Sequence, residues 1–384
     1  MRFSVDAHAI GRKLTGNEVY IRSLLHGFAN LDSGAEFVTY LSQRDVNGWV
    51  PSRFEKRYVA ANRYWRLGYH LAGCLRRDRP DLIHVQYNAP LFCPVPVVVT
   101  VHDISFIEHP EYFPAGRAWQ LRLSTSNTLR RASRILTISE FSRQRIARGF
   151  GIDPDDITVT PLAAQDHFRP LDRAAAAHRI GERYGIRRPY ILTVGDLQPR
   201  KNQISLIRAF RELLQVEPQL PHLLVLAGKD TWFAPRVREE VQRSGLDGRV
   251  VLPGFVAEED LAPLYNAADL FVFPSLYEGF GLPAIEAMAC GRPVVCSSSG
   301  SLPEVVDRAA ILIDPHSIGD LVRAMRDVLR DDQLRSRMGR QSLQRAAGFS
   351  WRETARRTLD VYYAVAEGRR QSVAPAPEPI RVAR

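Results

Sequence analysis

Cysteine is scarce, with four in 384 residues. Cys74, Cys93, Cys290 and Cys296 have no metal-ligand spacing. Cys290 and Cys296 flank a glycine turn and a valine pair, which predicts buried free thiols rather than a disulfide. That suits a reducing compartment. The opening stretch MRFSVDAHAIGRK lacks the uninterrupted apolar segment of a signal peptide. No run approaches the ~20 apolar residues that a membrane helix needs. The longest, LFCPVPVVVTV, carries two prolines and is rich in valine, so it reads as buried strand. There is no internal repeat of the solenoid kind. The expectation is a soluble, cytoplasmic protein, with peripheral contact to the inner face of a membrane left open.

What the chain has in excess is positive charge: 52 Lys and Arg against 42 Asp and Glu, a net +10. Arg53, Lys56, Arg57, Arg63 and Arg66 form one cluster, interleaved with Tyr58, Tyr64 and Trp65. Further groups follow at Arg76, Arg77 and Arg79, at Arg130, Arg131 and Arg134, and at Arg143, Arg145 and Arg148. Solvated helix faces account for such runs. So does a basic surface for anionic lipid or for a phosphate-bearing acceptor. Nucleic acid is disfavoured, because no nucleic-acid module accompanies the charge.

The apolar fraction of 45% and charged fraction of 24% belong to a globular protein. The length exceeds one ordinary core, so two domains are expected. Short valine-rich runs alternate with helix-length segments. MRFSVDA, FVTYL, DLIHVQ, PVVVTVHD, RILTIS and ITVTP are strand candidates in the first half. PYILTVG, HLLVLAG, RVVLPGF, DLFVFP, PVVCSS and AAILID are candidates in the second. Strands separated by helices predict parallel sheets covered on both faces. The predicted class is α/β, two doubly wound Rossmann-like domains facing across a cleft. The expected divisions are 1–167, a linker at 168–188, a second domain at 189–348, a helix at 349–368 returning to the first domain, and a disordered Pro- and Ala-rich tail at 369–384.

Ligands of open parallel sheets bind at the carboxyl ends of strands, so the loops there carry the chemistry. After DLFVFPS comes LYEGFGLPAIEAMACG. Glycines permit close approach, Pro283 suits the first helical position, and the free amides of a helix start attract anions. Glu278 then stands at the mouth. Glu286, about a turn into the helix, can accept hydrogen bonds from the two hydroxyls of a ribose. After PYILTVG comes GDLQPRKNQ, where Arg200 and Lys201 precede a helix. Two cations there oppose the helix dipole unless an anion joins them, and a diphosphate is the candidate. In the first half, Gly16 precedes a helix starting near Asn17, where a phosphate or sugar could approach its backbone. His102 ends a buried strand, followed by Asp103, and is expected to face the cleft. Ser139 and Glu140 fit either a helix cap or a site role. The Asp-Pro-Asp at 153–155 is read as a turn before a strand and not as a metal motif.

Together these residues resemble the family-4 glycosyltransferases, retaining nucleotide-sugar enzymes of the two-domain GT-B architecture. The resemblance covers nearly the whole chain. EGFGLPAIE looks like the family's E-x7-E element, VGDLQPRKN its diphosphate clamp, and VHD its first-domain histidine strand. TISEFSR, GFVAEEDLAPLYNAADLFVFPS and SGSLPEV are also similar. The resemblance implies that Glu278 and His102 contact the donor sugar and Glu286 the ribose. Arg200 and Lys201 would hold the diphosphate with the backbone of Gly279, Phe280, Gly281 and Leu282. Gly16 would give the leaving phosphate a backbone donor, and the backbone at Phe255 and Val256 would receive the base. Two departures stand out: Glu18 occupies the place of a second glycine in TGNEVY, and LAAQD replaces the usual N-G-V-D run.

The implied activity is transfer of a hexose, mannose preferred, from a GDP- or UDP-sugar to a glycan or polyprenyl-linked glycan in surface-polysaccharide synthesis. It implies retention of configuration and no metal, because the cations and amides neutralise the departing diphosphate. No permanently bound cofactor is expected. The expected partners are the nucleotide sugar, the glycan acceptor and an anionic membrane surface, without nucleic acid. A phosphorylase would need a pyridoxal-phosphate lysine site, for which there is no candidate, and an epimerase does not fit the E-x7-E string. The remaining alternative is a non-enzymatic basic protein of the same fold that binds polysaccharide or nucleotide.

Overall fold

The computed structural model describes residues 1–12, 15–45 and 48–368. The tail expected to be disordered lies outside them. The chain divides into two compact units, one formed by Met1–Leu162 with the chain from Ser350, the other by Ala163–Phe349. Among the described residues no helix is long and apolar enough to cross a membrane. The four cysteines are free.

The first unit is built on a seven-stranded parallel sheet. Its strands are β1 (Arg2–Asp6), β2 (Glu36–Leu41), β3 (Glu55–Tyr58), β4 (Leu82–Gln86), β5 (Val97–Thr100), β6 (Arg134–Thr137) and β7 (Ile157–Val159), in the order β3-β2-β1-β4-β5-β6-β7. Valine and isoleucine dominate the central strands because both faces are covered: β4 and β5 are buried at every position. Helix Trp351–Ala366 packs on helix Thr15–Ala29. Gly27 makes this possible, since a Cβ there would lie 2.7 Å from the Trp351 carbonyl. Tyr362 from the same helix reaches the His84 ring on β4 and stacks edge-on against Phe3 at 5.2 Å.

One strand of this sheet, β3, has no counterpart in the predicted set. Its sequence EKRY has no apolar alternation and no buried residue. It pairs only with β2 at the sheet edge, where backbone hydrogen bonds suffice and charged side chains discourage further pairing.

The second unit has a six-stranded parallel sheet with all six predicted strands. They are β8 (Tyr190–Val194), β9 (Leu223–Ala227), β10 (Val250–Gly254), β11 (Leu270–Phe273), β12 (Val294–Ser297) and β13 (Ile311–Ile313), ordered β10-β9-β8-β11-β12-β13. The strand order reverses between β8 and β11, the place where an open α/β sheet parts its crossovers and leaves a crevice. The expected linker contains a helix, Arg173–Tyr184, that folds against this unit. Its Arg179 Nε donates to Asp260 Oδ1 at 2.7 Å and its Tyr184 hydroxyl to Asp260 Oδ2 at 2.9 Å.

Candidate functional site

β8 and β11 are hydrogen-bonded neighbours, with Ile191 opposite Leu270. Their following loops therefore meet, although they lie more than seventy residues apart in sequence. After β8 the chain passes Gly195 and enters a 3₁₀ turn, Pro199–Lys201. Asn202 then takes a left-handed conformation, φ 57°. Its Nδ2 donates to the carbonyls of Pro274 at 3.2 Å and Pro315 at 2.8 Å, fixing the turn. Helix Gln203–Val216 begins only afterwards. Arg200 and Lys201 thus precede the helix rather than belong to it.

The anion beside these cations is Glu278. Lys201 Nζ donates to Glu278 Oε1 at 2.6 Å, and Arg200 Nη1 to Glu278 Oε2 at 3.0 Å. Arg200 Nη1 also reaches the Tyr277 carbonyl at 3.2 Å, and the Leu276 amide donates to the Arg200 carbonyl at 2.7 Å. Lys201 and Glu278 are both buried. Burial raises the Glu278 pKa, but the charges of Lys201 and Arg200 beside it outweigh burial and hold it at about 2. Burial pushes the Lys201 pKa down, against the attraction of Glu278. Two cations bear on this carboxylate, and the Asp196 carboxylate also acts on Lys201, in an enclosed setting where electrostatic interactions are strong.

Glycines fit this region together tightly. A Cβ at Gly300 would stand 2.8 Å from both the amide and the carbonyl of Glu278, and Gly300 has φ +67°. The Ser301 amide and hydroxyl both donate to the Glu278 carbonyl, at 3.1 and 3.0 Å. Gly281, at φ +97°, leads into helix Leu282–Ala289. Pro283 is its second residue, not the first. The amides of Phe280, Gly281 and Leu282 donate to no protein acceptor among the described residues. They form the anion-attracting start of the helix.

On the same helix Glu286 is buried, and its Oε2 accepts a 2.8 Å hydrogen bond from Tyr265. Burial pushes its pKa up to about 7, against that hydrogen bond. The two glutamates of EGFGLPAIE therefore carry opposite perturbations: one is fixed as a carboxylate, the other is poised near neutrality. After β10, Phe255 is half-exposed with Lys229 Nζ 5.5 Å from its ring centre, and Val256 is buried.

Gly16 and His102 belong to the first unit. Gly16 sits in the first turn of helix Thr15–Ala29, which starts earlier than Asn17, and its Cα faces open space. Glu18, the departure from the glycine pattern, is buried, and its Oε1 accepts from the Gly11 amide at 3.0 Å. It ties the loop after β1 to the helix. His102 Nε2 lies 2.8 Å from Gln86 Oε1, and Gln86 Nε2 donates to the Asn17 carbonyl at 3.2 Å. Burial pushes the His102 pKa down to about 4, so the ring is neutral at pH 7. Ser139 caps helix Glu140–Phe150, accepting from the Ser142 amide at 3.0 Å. Asp153 caps a 3₁₀ turn before β7, accepting from the Asp155 amide at 3.0 Å.

Sequence reasoning missed the partners that orient these groups: Asn202, Tyr265, Gln86, Ser301. Gln86 ends a strand, Tyr265 lies on a helix, and Asn202 and Ser301 each precede one; each is recruited through a contact outside its own element. Tyr265 had a signal, since it falls inside the GFVAEEDLAPLYNAADLFVFPS stretch.

Known sequences resolve the chain in the same two parts. Residues 180–345 match the profile described as Glycosyl transferases group 1, and residues 15–164 that of Glycosyltransferase Family 4. The O-antigen chain mannosyltransferase B of Escherichia coli is 38% identical over 367 residues, covering 94% of each chain. A serotype-specific mannosyltransferase, WbdA of Escherichia coli, is 30% identical over 298 residues, covering 76% of this chain and 36% of that longer one. The chain thus spans about a third of the WbdA relatives. Among solved structures, the sucrose-phosphate synthase of Thermosynechococcus elongatus superposes with a TM-score of 0.77 at 21% identity, covering 96% of this chain and 100% of that one. WaaG, a glycosyltransferase involved in lipopolysaccharide biosynthesis, gives 0.76 at 16%, covering 94% and 99%. Anabaena HepE in complex with UDP-glucose gives 0.75 at 19%, also covering 94% and 99%. These likenesses carry the fold. With both halves matched in order and a relative of 38% identity along nearly its full length, the chain is a family-4 glycosyltransferase of the GT-B class, mannosyltransferase-like in sequence.

Proposed function

We propose that the protein moves a hexose, preferentially mannose, from a nucleoside diphosphate sugar to a glycan or polyprenyl-linked glycan in surface-polysaccharide assembly, with retention of configuration and without a metal. The observation that carries this reading is the Arg200–Lys201–Glu278 cluster beside the unpartnered amides of Phe280, Gly281 and Leu282. The mannose preference rests on the relatives named above.

In the proposed reaction the acceptor oxygen bonds to the anomeric carbon while the bond from that carbon to the diphosphate oxygen breaks. Negative charge grows on the diphosphate, and stabilising it is the main task. Arg200, Lys201 and the helix-start amides would meet that charge. They supply what a divalent cation supplies elsewhere. Glu278, ionised at every working pH, can accept hydrogen bonds from sugar hydroxyls but has no proton to give. The acceptor proton goes to the departing phosphate oxygen, on the same face, which yields retention. The Glu286 carboxylate would accept from the ribose hydroxyls, and the backbone at Phe255 and Val256 would line the base. Gly16 would offer its amide to the leaving phosphate, and the neutral His102 a hydrogen bond to the sugar. The protein would work at the cytoplasmic face of a membrane, as a peripheral enzyme.

The test is transfer from GDP-mannose, compared with a panel of GDP- and UDP-sugars, to a lipid-linked glycan acceptor in the presence of EDTA, with the product anomer read by NMR. A retained mannoside formed at undiminished rate with EDTA is the expected product. An inverted anomer, or activity abolished by EDTA and restored by a divalent metal, would overturn the mechanism.

Glu286 gives a pH signature. With a pKa of about 7 before donor binds, and the ionised form the better acceptor for ribose hydroxyls, donor binding must release a proton below that pH. Donor affinity then falls as pH drops through 7, with a limiting slope of about tenfold per unit. Glu286→Gln should weaken binding at pH 8 and flatten the profile. Calorimetric titration across pH 5.5–8.5 checks this.

A further inference from the structure

The cluster of basic residues at 53–66 divides into two groups in the structure. Arg53 donates to the carbonyls of Phe28 and Leu31 at 2.7 and 3.2 Å, Lys56 pairs with Asp45 at 2.8 Å, and Arg57 pairs with Glu55. These hold the edge of the sheet. Arg66 is different. It is 3% exposed, its Nε and Nη1 are fully enclosed, and neither has a hydrogen-bond partner. The acid beside it, Asp6, stops 3.9 Å from Nε, beyond hydrogen-bond reach. Asp6 accepts from the His8 amide at 3.3 Å and lies 3.1 Å from the His8 ring.

A buried guanidinium short of partners is unfavourable unless counter-charge compensates it. Here the fold adds charge of the same sign. Burial pushes the Arg66 pKa down, and the nearby Arg12 and Arg63 push it further, with Asp6 opposing. Arg66 faces Asp6, while Arg12 and Arg63 bear on Arg66 as like charges. Arg12 donates one bond, to the Ala61 carbonyl at 3.2 Å. Arg63 lies 5.7 Å from the Tyr64 ring centre. Arg66 opens a five-residue π-helical turn, Arg66–His70, inside a helix otherwise α-helical; such bulges are frequent at functional sites. Asp6 is the last residue of β1 and Arg12 lies in the loop after it, so the cluster sits at the carboxyl end of a central strand, where open α/β sheets bind ligands.

We propose that the first unit carries a phosphate site centred on Arg66 and completed by Arg12 and Arg63, which takes a phosphate or diphosphate ester. Planar guanidiniums match phosphate oxygens in pairs and lose less on desolvation than ammonium groups. Beside the site runs an exposed aromatic ridge: Trp65 and Tyr69 with ring centres 5.9 Å apart, then Phe92 at 6.5 Å from Tyr69. An ester whose other end is apolar would lay that end on the ridge. As the acceptor's phosphate the site rests on the glycosyl-transfer reading; as a binding site it does not.

The experiment is calorimetric titration of the full chain with inorganic pyrophosphate, at saturating nucleoside diphosphate so that the Arg200–Lys201 region is occupied. Saturable binding is expected. Arg66→Met should weaken it about tenfold or more, the weight of hydrogen bonds to a charged group, and Arg12→Ala or Arg63→Ala several-fold each. Arg200→Ala should leave it unchanged. Without ligand, Arg66→Met should melt no lower than the parent protein, since it removes an unpartnered charge. If Arg66→Met does not fold, the two more exposed variants carry the same readout. Unaltered binding in Arg66→Met, or in both exposed variants, or loss only in Arg200→Ala, overturns the proposal. Farnesyl diphosphate distinguishes the source. Tighter binding than pyrophosphate, lost in Trp65→Ala, supports the site with a lipid ester as ligand, whereas equal binding supports it with a phosphate that has no apolar anchor. An inactive protein that still binds pyrophosphate through Arg66 would count against the transfer reading alone. An active one with no such binding would count against this site alone.

Discussion

Replacing Arg200 and Lys201 together by alanine should lower kcat by about four orders of magnitude, with a much smaller change in KM for the acceptor. Each cation aimed at charge that develops in the transition state is worth roughly 10²–10³ in rate, and two acting on one diphosphate add incompletely. The single variants should each lose about 10²–10³. Lys201→Ala should be the more severe, because its Nζ is the more deeply enclosed of the two. Steady-state rates with the best donor from the panel give the comparison. A double variant within tenfold of the parent enzyme would mean that the leaving group is neutralised elsewhere.

Glu278→Ala should damage both activity and stability. Its carboxylate compensates Lys201, and removing one partner of a buried ion pair typically costs 3–5 kcal/mol because the other is left alone. In melting temperature that is on the order of 10 °C. The same variant should lose roughly 10²-fold or more in kcat if the carboxylate also holds the sugar. The two effects separate on adding nucleoside diphosphate. An anion placed between Arg200 and Lys201 replaces the missing charge, so the ligand should raise the melting temperature of Glu278→Ala by more than it raises that of the parent protein. Equal ligand shifts in the two proteins would show that the diphosphate does not sit against these cations.

Much of this was legible in the chain itself. The six strands of the second unit and six of the seven in the first stand out because parallel strands covered on both faces are rich in apolar, β-branched residues. β3 was invisible for the converse reason: EKRY makes its contribution through the backbone. The loops bearing Arg200, Lys201, Glu278 and Glu286 were legible from glycines, a proline and charge at strand ends. That Glu278 would serve as the counter-ion of the cation pair was not, since it depends on β8 and β11 lying side by side. The helix at 173–184 read as linker because it is polar and alanine-rich. It is held through Asp260, some eighty positions away, and no local pattern announces that. Arg66 was indistinguishable in sequence from its surface neighbours. In the structure it is the buried one, at the start of the π-helical turn.

The central claim is that Arg200 and Lys201 bind the second phosphate of the nucleotide. Calorimetric affinities of GDP against GMP, or UDP against UMP if the base is uracil, measure that contact alone. The account expects the diphosphate to bind about a hundredfold more tightly, the weight of two charge-assisted hydrogen bonds. It expects the Arg200→Ala/Lys201→Ala variant to bring the two affinities together. A ratio that survives the double substitution would contradict it.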